Sequence, residues 1–170
     1  NFMFVASMNP CPCGFFGSEE KECTCSSKAI SKYIGRISGP LLDRIDIQVE
    51  VTPVKYKNLE YEGKAESSEE IKIRVNKARK IQQKRYLNEK IYSNSQLTPK
   101  LIEKYCVLNN EEKKLLEMAF NNLGLSARAY GKILKVARTI ADLDNKENIE
   151  INHLAEAIQY RSLDKKYWKN

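Results

Sequence analysis

The stretch 125-LSARAYGKILKVARTIADL-143 decides the fold predicted for this chain of 170 residues. Ser126 is a favourable N-cap residue, and the apolar side chains after it recur with the spacing of one helix face. The spacing predicts a long amphipathic helix whose apolar face must be covered by other helices. That face comprises Tyr130, Ile133, Leu134, Ala137, Ile140 and Ala141.

Four more helices are predicted around this one, which makes residues 68–162 an all-α bundle. Their starts carry N-cap residues, a capping box or a proline at the first helical position. The first of them runs to about residue 90 and has a basic outer face, with Ile71, Val75, Ala78 and Gln82 on its inner face. The first helix starts at the capping box of Ser67 and Glu70, and the second at Thr98 and Pro99. The third starts at Asn110 and ends at Gly124, and the last starts at Asn152 and reaches Arg161.

The N-terminal residues show the hydropathy patterns of strands. Residues 2–6 are apolar at every position, which is typical of a strand covered on both faces, whereas residues 44–52 alternate as in a half-buried strand. A helix capped by Ser26 or Ser27 separates them, which predicts one βαβ unit. Two strands are too few for an independent sheet, so residues 1–52 are expected to be the remnant of a larger α/β domain, and the chain a C-terminal piece of a longer protein.

Composition separates these two parts. Residues 53–67 contain Pro, Gly, Ser and alternating charges without an apolar period and are interpreted as a linker, while residues 163–170 form a tail.

The formal net charge is +7, of which residues 1–52 contribute −1 and the remainder +8. A basic surplus suits a polyanionic partner such as nucleic acid. No apolar run is long enough to span a membrane and no signal peptide is present, so a cytoplasmic protein is expected.

Four of the five cysteines lie in 8-MNPCPCGFFGSEEKECTCSS-27 as two Cys-x-Cys pairs, Cys11 with Cys13 and Cys23 with Cys25. In a reducing compartment such an array is more often a metal site than a disulfide framework. Four thiolates suit tetrahedral Zn²⁺ and leave no open coordination position, so zinc bound here would be structural. The competing interpretation is that Cys11 and Cys13, beside prolines, are turn or packing residues. Cys106 is expected in a core and His153, at a helix start, on the surface.

Three polar residues are candidates for a ligand site. Asn9 follows the first predicted strand, where ligands of open α/β sheets bind, although an asparagine before proline is also an ordinary turn residue. Arg44 lies at a loop-to-strand junction, from which it can reach a neighbouring molecule or pair with Asp43 or Asp46. Arg128 lies in the first turn of its helix, where a cation costs about 0.3 to 1 kcal/mol against the helix dipole. It is either a phosphate ligand or an exposed arginine tolerated for its helix propensity.

Five stretches resemble the C-terminal part of the Mg-chelatase-like AAA+ ATPases of the ComM/YifB family, and the resemblance covers residues 1–162. It implies a mainly α chain, in which an incomplete α/β AAA+ core is followed by an all-α helical lid. The stretches are MNPCPCGFFG (8–17), CTC (23–25), YIGRISGPLLDRIDIQVEV (33–51), LGLSARAYGKILKVARTIADL (123–143) and HLAEAIQYR (153–161).

The resemblance also implies roles for the three candidates. Asn9 falls at the sensor 1 position, which orients the water that attacks the γ-phosphate of the nucleotide. Arg44 matches the arginine finger that reaches into the neighbouring subunit's site, and Arg128 matches sensor 2, which reaches the γ-phosphate from the lid. ATP and Mg²⁺ are the implied cofactors, and the implied assembly is a ring, expected to be hexameric. The family is similar to ring helicases that promote DNA branch migration, which makes DNA the expected partner.

The chain lacks two motifs that such an ATPase needs. It contains no G-x-x-x-x-G-K-[ST] and no apolar run ending in Asp-Glu, so the phosphate cradle and the Mg²⁺ ligands are expected outside these residues. These residues alone are therefore expected to be inactive. Two alternatives stay open: an ATPase that remodels a metal-chelatase partner, and a non-enzymatic zinc module that binds nucleic acid.

Overall fold

The computed structural model describes residues 2–51 and 65–161. The predicted linker lies mostly, and the predicted tail entirely, outside these residues. No helix in the described ranges is long and apolar enough to cross a membrane. The N-terminal part contains α1 (Ser27–Ile34) and α2 (Gly39–Leu42). The C-terminal part contains α3 (Ser68–Arg85), α4 (Pro99–Tyr105), α5 (Asn110–Leu123), α6 (Ala127–Leu143) and α7 (Ile151–Gln159), with a 3-10 turn, Asn94–Gln96, before α4.

Helix α6 is the centre of the C-terminal bundle. It packs against α7, α3, α4 and the 3-10 turn, and α7 also packs against α5. The all-α bundle predicted for this part is confirmed. Its core is made by the apolar face of α6 together with side chains from every neighbouring helix and loop. Buried members are Tyr86, Leu97, Ile102, Cys106, Leu108, Leu116, Ala129, Ile133, Leu134, Ala137, Ile149, Leu154 and Ala157.

The local signals fix the helix ends of the bundle. The Ser67 hydroxyl accepts from the Glu70 N–H at 3.2 Å and the Glu70 carboxylate accepts from the Ser67 N–H at 2.7 Å, which completes the predicted capping box. Thr98 and Ser126 are the N-caps of α4 and α6, and the hydroxyl of each accepts a hydrogen bond from one backbone N–H. Gly124 ends α5 with a φ of 57°, a left-handed conformation that glycine adopts at little cost.

Three residues predicted to lie in the core are exposed or lie at its rim. Ala78 and Gln82 of α3 are buried, but Ile71 and Val75 on the same face are exposed, because the bundle covers only the C-terminal half of α3. Tyr130 is 46% exposed and packs edge-on against Phe120 at a ring separation of 6.0 Å. It therefore lies at the rim of the core and not within it.

A buried carboxylate joins α3, α6 and the 3-10 turn. Asp142 is buried and accepts hydrogen bonds from both terminal nitrogens of Arg85, from Arg138 Nε at 3.2 Å and from Asn94 Nδ2 at 2.8 Å. Asn94 in turn accepts from the Tyr86 hydroxyl at 2.6 Å. Each charge of this cluster is paired, as buried charges must be to avoid a large desolvation cost.

His153 is buried, so the prediction that it lies on the surface is wrong. Its Nδ1 accepts from the Glu150 N–H at 3.0 Å, and its Nε2 lies 3.2 Å from Asp144 Oδ2. The ring thus satisfies a backbone donor at the start of α7, a role that the sequence position alone does not reveal. Cys106 is buried in the bundle core, as predicted.

The βαβ unit predicted for residues 1–52 is not formed in the part of it that the structure describes. Residues 2–6 and 45–51 are irregular or extended, without assignment to a strand, and Phe2 is 90% exposed. Of the predicted unit, the helix is present as α1, with Ser26 as its N-cap. The physical reason is that a strand needs a hydrogen-bonded neighbour and cover for its apolar face, and the described residues supply neither to these segments.

Candidate functional site

The four cysteines of the two Cys-x-Cys pairs come together in space. Their Sγ atoms all lie within 4.8 Å of one another. Cys11 Sγ is 3.3 Å from Cys13 Sγ and 3.7 Å from Cys23 Sγ, and Cys13 Sγ is 3.5 Å from Cys23 Sγ. These separations are too long for a disulfide, whose S–S bond is about 2.05 Å, and all four thiols are free.

A tight turn holds the first pair. The Gly14 N–H donates to the Cys11 carbonyl at 3.0 Å, and Gly14 has a φ of 85°, which a residue with a Cβ rarely adopts. The Phe16 N–H then donates to Cys11 Sγ at 3.4 Å. The turn therefore buries Cys11 completely and points a backbone donor at its sulfur.

The surroundings divide the thiols into more acidic and less acidic members. A backbone hydrogen bond from Phe15 lowers the pKa of Cys13 to about 5, against the opposite effect of burial. Cys23 also receives a backbone hydrogen bond, from Cys25, but burial and the sulfur atoms of Cys13 and Cys11 raise its pKa to about 12. Sulfur atoms this close repel one another when ionised, so four thiolates require a compensating positive charge.

A tetrahedral metal ion would supply that charge. With Zn–S bonds of about 2.3 Å, sulfur atoms at the corners of a tetrahedron are about 3.8 Å apart. The three Sγ separations of 3.3–3.7 Å lie close to this value. The cluster can therefore hold a metal with Cys11, Cys13, Cys23 and Cys25 as its ligands.

Asn9 lies two residues before the cluster and its side chain is next to Gly14. A Cβ added to Gly14 would lie 3.6 Å from Asn9 Nδ2, an ordinary van der Waals distance, which places the Asn9 side chain directly beside this turn. Asn9 itself is exposed.

Arg44 follows α2 and is exposed. Its Nη1 donates to the Pro40 carbonyl at 2.7 Å, which folds the side chain back along the helix. In the described ranges neither Asp43 nor Asp46, its two expected partners, forms an ion pair with it: Asp43 pairs with Arg161 and Asp46 with Lys132. Among the described residues, the guanidinium is held by the Pro40 carbonyl.

Arg128 lies in the first turn of α6 and is exposed, two residues after the N-cap Ser126. Across residues 2–51 and 65–161, no acidic side chain pairs with it. The first turn of α6 contains no acidic residue either. Within the part of the chain that the structure describes, this cation at the positive end of a helix therefore lacks an acidic partner.

Asn9, Arg44 and Arg128 are not brought into one cluster: among the described residues, no hydrogen bond or ion pair joins any two of them. What does join the two arginine-bearing elements is Lys132 of α6. Its Nζ donates to the Arg44 carbonyl at 2.6 Å and to the Asp46 carboxylate.

Arg161 makes a second junction, and neither it nor Lys132 was predicted to have a role. Arg161 is 1% exposed and donates to the carbonyls of Leu42 and Ile45. For Lys132 the only signal in the sequence is its position, four residues after Arg128 and hence on the same helix face.

Comparison with known families gives two matches along the chain. Residues 65–161 match the family described as "Magnesium chelatase, subunit ChlI C-terminal", and residues 1–59 match "Magnesium chelatase, subunit ChlI". Together the two matches include all the candidate residues named above.

Three curated relatives are similar over nearly the whole chain. Competence protein ComM of Haemophilus influenzae is 42% identical over 163 residues, which is 95% of this chain. Proteins named YifB are 40% identical over 167 residues in Escherichia coli and 39% over 166 residues in Salmonella typhimurium, in both cases 96% of this chain. The chain spans 31% of the length of each of these relatives.

Proposed function

The chain belongs to the magnesium chelatase ChlI-like group of AAA+ proteins, with ComM and YifB among its relatives, and from this premise we propose that it is the sensor and lid portion of an ATP-driven motor. In the proposed motor, ATP and Mg²⁺ are bound by a phosphate-binding loop outside these residues, and the chain supplies cations and a polar group to the bound nucleotide.

The observation that carries this proposal is the placement of Arg128. An arginine in the first turn of a 17-residue helix, exposed and without an acidic partner within the described ranges, is unfavourable unless an anion compensates it. Free backbone N–H groups and a guanidinium at one helix end together make a good phosphate site. A lid that closes over ATP would bring this site to the γ-phosphate.

Arg44 and Asn9 receive the remaining roles of this proposal. The exposed Arg44 serves as an arginine finger for the site of the neighbouring subunit, and Asn9 orients the attacking water in its own subunit. Such a finger contributes roughly 10³- to 10⁵-fold in rate in GTPases, because it stabilises charge that develops in the transition state. The roles require a ring of subunits, for which a hexamer is proposed.

The cysteine cluster is proposed to hold a structural Zn²⁺. Its support is the set of Sγ separations and the absence of any open position once four thiolates are bound. Structural zinc supplies about 10 to 16 kcal/mol in small domains at neutral pH, enough to order a loop with little apolar core of its own. The ion would have no part in the chemistry.

DNA is the proposed substrate of the motor. The support is the relative named competence protein ComM and the surplus of exposed cations on the outer face of α3. Remodelling of a metal-chelatase partner is the alternative, and it is distinguished by whether DNA or a partner protein stimulates ATP turnover. The location proposed for the motor is the cytoplasm.

The test of the ATPase proposal is made in the full-length protein. Arg44→Ala is expected to lower kcat for ATP by at least about 10³-fold, and Arg128→Ala to lower kcat or weaken ATP binding by about tenfold or more. Arg36→Ala, another exposed arginine of the N-terminal part, is the matched control and should leave turnover unchanged. Full ATP turnover in Arg44→Ala would contradict the finger role.

A further inference from the structure

One lysine connects the element that carries Arg44 to the helix that carries Arg128. Lys132 Nζ donates to the Arg44 backbone carbonyl at 2.6 Å and forms an ion pair with Asp46. These partners lie 88 and 86 residues away in sequence, so the contact is tertiary and fixes the 39–48 segment against α6.

Lys132 and Arg128 also share one rigid element. They are four residues apart, about one helical turn, and so lie on the same face of α6. Any displacement of α6 that follows the Arg128 guanidinium therefore moves Lys132 by a similar amount, because an α-helix of 17 residues moves as a unit.

A second anchor holds the other side of the 39–48 segment. Arg161 Nη1 donates to the Leu42 carbonyl at 3.2 Å and to the Ile45 carbonyl, and its Nη2 lies 3.4 Å from Asp43 Oδ1. The Gln48 N–H donates to the Tyr160 carbonyl at 3.0 Å. Backbone groups before and after Arg44 are thus bound to the bundle, whereas the Arg44 guanidinium stays exposed.

We propose that Lys132 is a positioning residue that makes the placement of Arg44 depend on the position of α6. When Arg128 engages the nucleotide of its own subunit and α6 moves, Lys132 carries the Arg44 backbone with it and changes the finger offered to the next subunit. The inference rests on the roles given to Arg44 and Arg128 under the proposed function, and it adds a physical route by which one site informs the next.

The chemistry at Lys132 suits this role better than a purely structural one. Its side chain is 23% exposed and it holds a main-chain carbonyl, so the connection depends on a charged donor of the right length and not on apolar packing. Arg161 is fully buried and its removal would damage the fold, which makes Lys132 the residue at which the connection can be cut selectively.

The experiment compares two lysines of the same helix in the full-length protein. Lys132→Met removes the donor and keeps the length of the side chain. Lys135→Met is the matched control, because Lys135 Nζ donates to the Ser95 carbonyl at 2.9 Å within the bundle and does not hold the Arg44 carbonyl. Lys132→Arg retains a charged donor. The three measurements are kcat, the affinity for ATP, and the Hill coefficient of ATP turnover.

Lys132→Met is expected to lower kcat about tenfold, since a misplacement of about 1 Å at a catalytic group costs up to about 10²-fold. ATP affinity should stay within about twofold of the unmodified protein, because Arg128 and the phosphate-binding loop are intact, while the Hill coefficient falls towards 1. Lys132→Arg should recover most of kcat, and Lys135→Met should change none of the three quantities. Equal values in Lys132→Met and Lys135→Met would overturn the proposal.

Asp46→Asn provides a second test from the opposite partner, at an exposed position where misfolding is not expected. It should lower the Hill coefficient in the same direction as Lys132→Met, and a value unchanged from the unmodified protein counts against the proposal. Arg44→Ala separates the two levels of inference. If its turnover is intact, the proposed function fails; if its turnover is lost while Lys132→Met behaves like Lys135→Met, only the positioning role fails.

Discussion

Cys11 is the residue on which the proposed zinc site depends most. It is completely buried, it receives the Phe16 N–H, and its sulfur lies within 3.7 Å of two other cysteine sulfurs. We expect Cys11→Ser to reduce bound zinc from about one ion per chain to near zero, because a serine hydroxyl does not replace a thiolate ligand. The measurement is elemental analysis of protein purified under reducing conditions.

Cys106→Ser is the control for that substitution. The Cys106 thiol is buried in the core of the bundle, where burial raises its pKa to about 11, and it is not a member of the cluster. The variant should lose about 1 to 3 kcal/mol of stability, from the cost of a buried hydroxyl, and keep its zinc. Unmodified protein without zinc, or Cys11→Ser with its zinc retained, would refute the metal site.

The cysteine cluster and His153 show how far the surroundings of a single residue can be predicted from the sequence. The spacing of Cys11, Cys13, Cys23 and Cys25 favoured a metal site and left a turn or packing role for Cys11 and Cys13 open, and the structure brings the four sulfur atoms together. His153 was not predictable in this way. Its burial follows from a hydrogen bond to the Glu150 N–H and a contact with Asp144, which depend on the exact start of α7.

At the scale of elements, the two faces of α3 differ: one packs against the bundle and the other carries positive charge. Its C-terminal half is fixed to the bundle by the buried Ala78 and Gln82 and by the ion pair between Arg85 and Asp142. Its outer face carries exposed cations without an acidic partner in the described ranges. These are Lys72, Lys77, Arg79, Lys80 and Lys84.

If DNA is the substrate, this face is the part of the chain best suited to bind its phosphates. Lys80→Ala with Lys84→Ala should weaken DNA binding at low salt and reduce the slope of log K against log salt by about 0.9 for each phosphate that is no longer neutralised. The same pair of changes at Lys113 and Lys114, exposed on α5, removes equal charge elsewhere and should have a smaller effect. Salt titrations of DNA affinity in the full-length protein measure the difference, and identical slopes in both double variants would exclude α3 as the DNA-binding face.

Elements were predictable where the decisive interactions are local. The limits of α6 follow from the Ser126 cap and from a period that needs no knowledge of its neighbours, and the capping box at Ser67 fixed the start of α3. The end of α3 was predicted too late because Tyr86 turns into the core to bond Asn94, a contact between a helix and a later turn. The strands failed for a related reason, since a strand depends entirely on its neighbours.

At the scale of the whole molecule, the two parts are joined by polar contacts to backbone groups. Lys132 and Arg161 bind carbonyls of the 39–48 segment across more than 80 residues of sequence, as their separations of 88 and 119 residues from Arg44 and Leu42 indicate. Such contacts leave no periodic pattern in a sequence, so the sequence predicted the two parts and could not predict how they meet. They also connect the helical bundle to the segment that carries Arg44.

The groups that these residues contain, and those they lack, predict whether the chain hydrolyses ATP by itself. In the proposed function it offers Arg44 to another site and Arg128 to a nucleotide, but the 170 residues contain no phosphate-binding loop and no Walker B acidic pair. Positioning cations cannot accelerate phosphoryl transfer from a nucleotide that nothing holds in place. We therefore expect the purified 170-residue chain to release no phosphate from millimolar ATP. A copy carrying both Arg44→Ala and Arg128→Ala is the control for contaminating enzymes, and turnover that is present in the unmodified chain and lost in this copy would show that the chain hydrolyses ATP unaided.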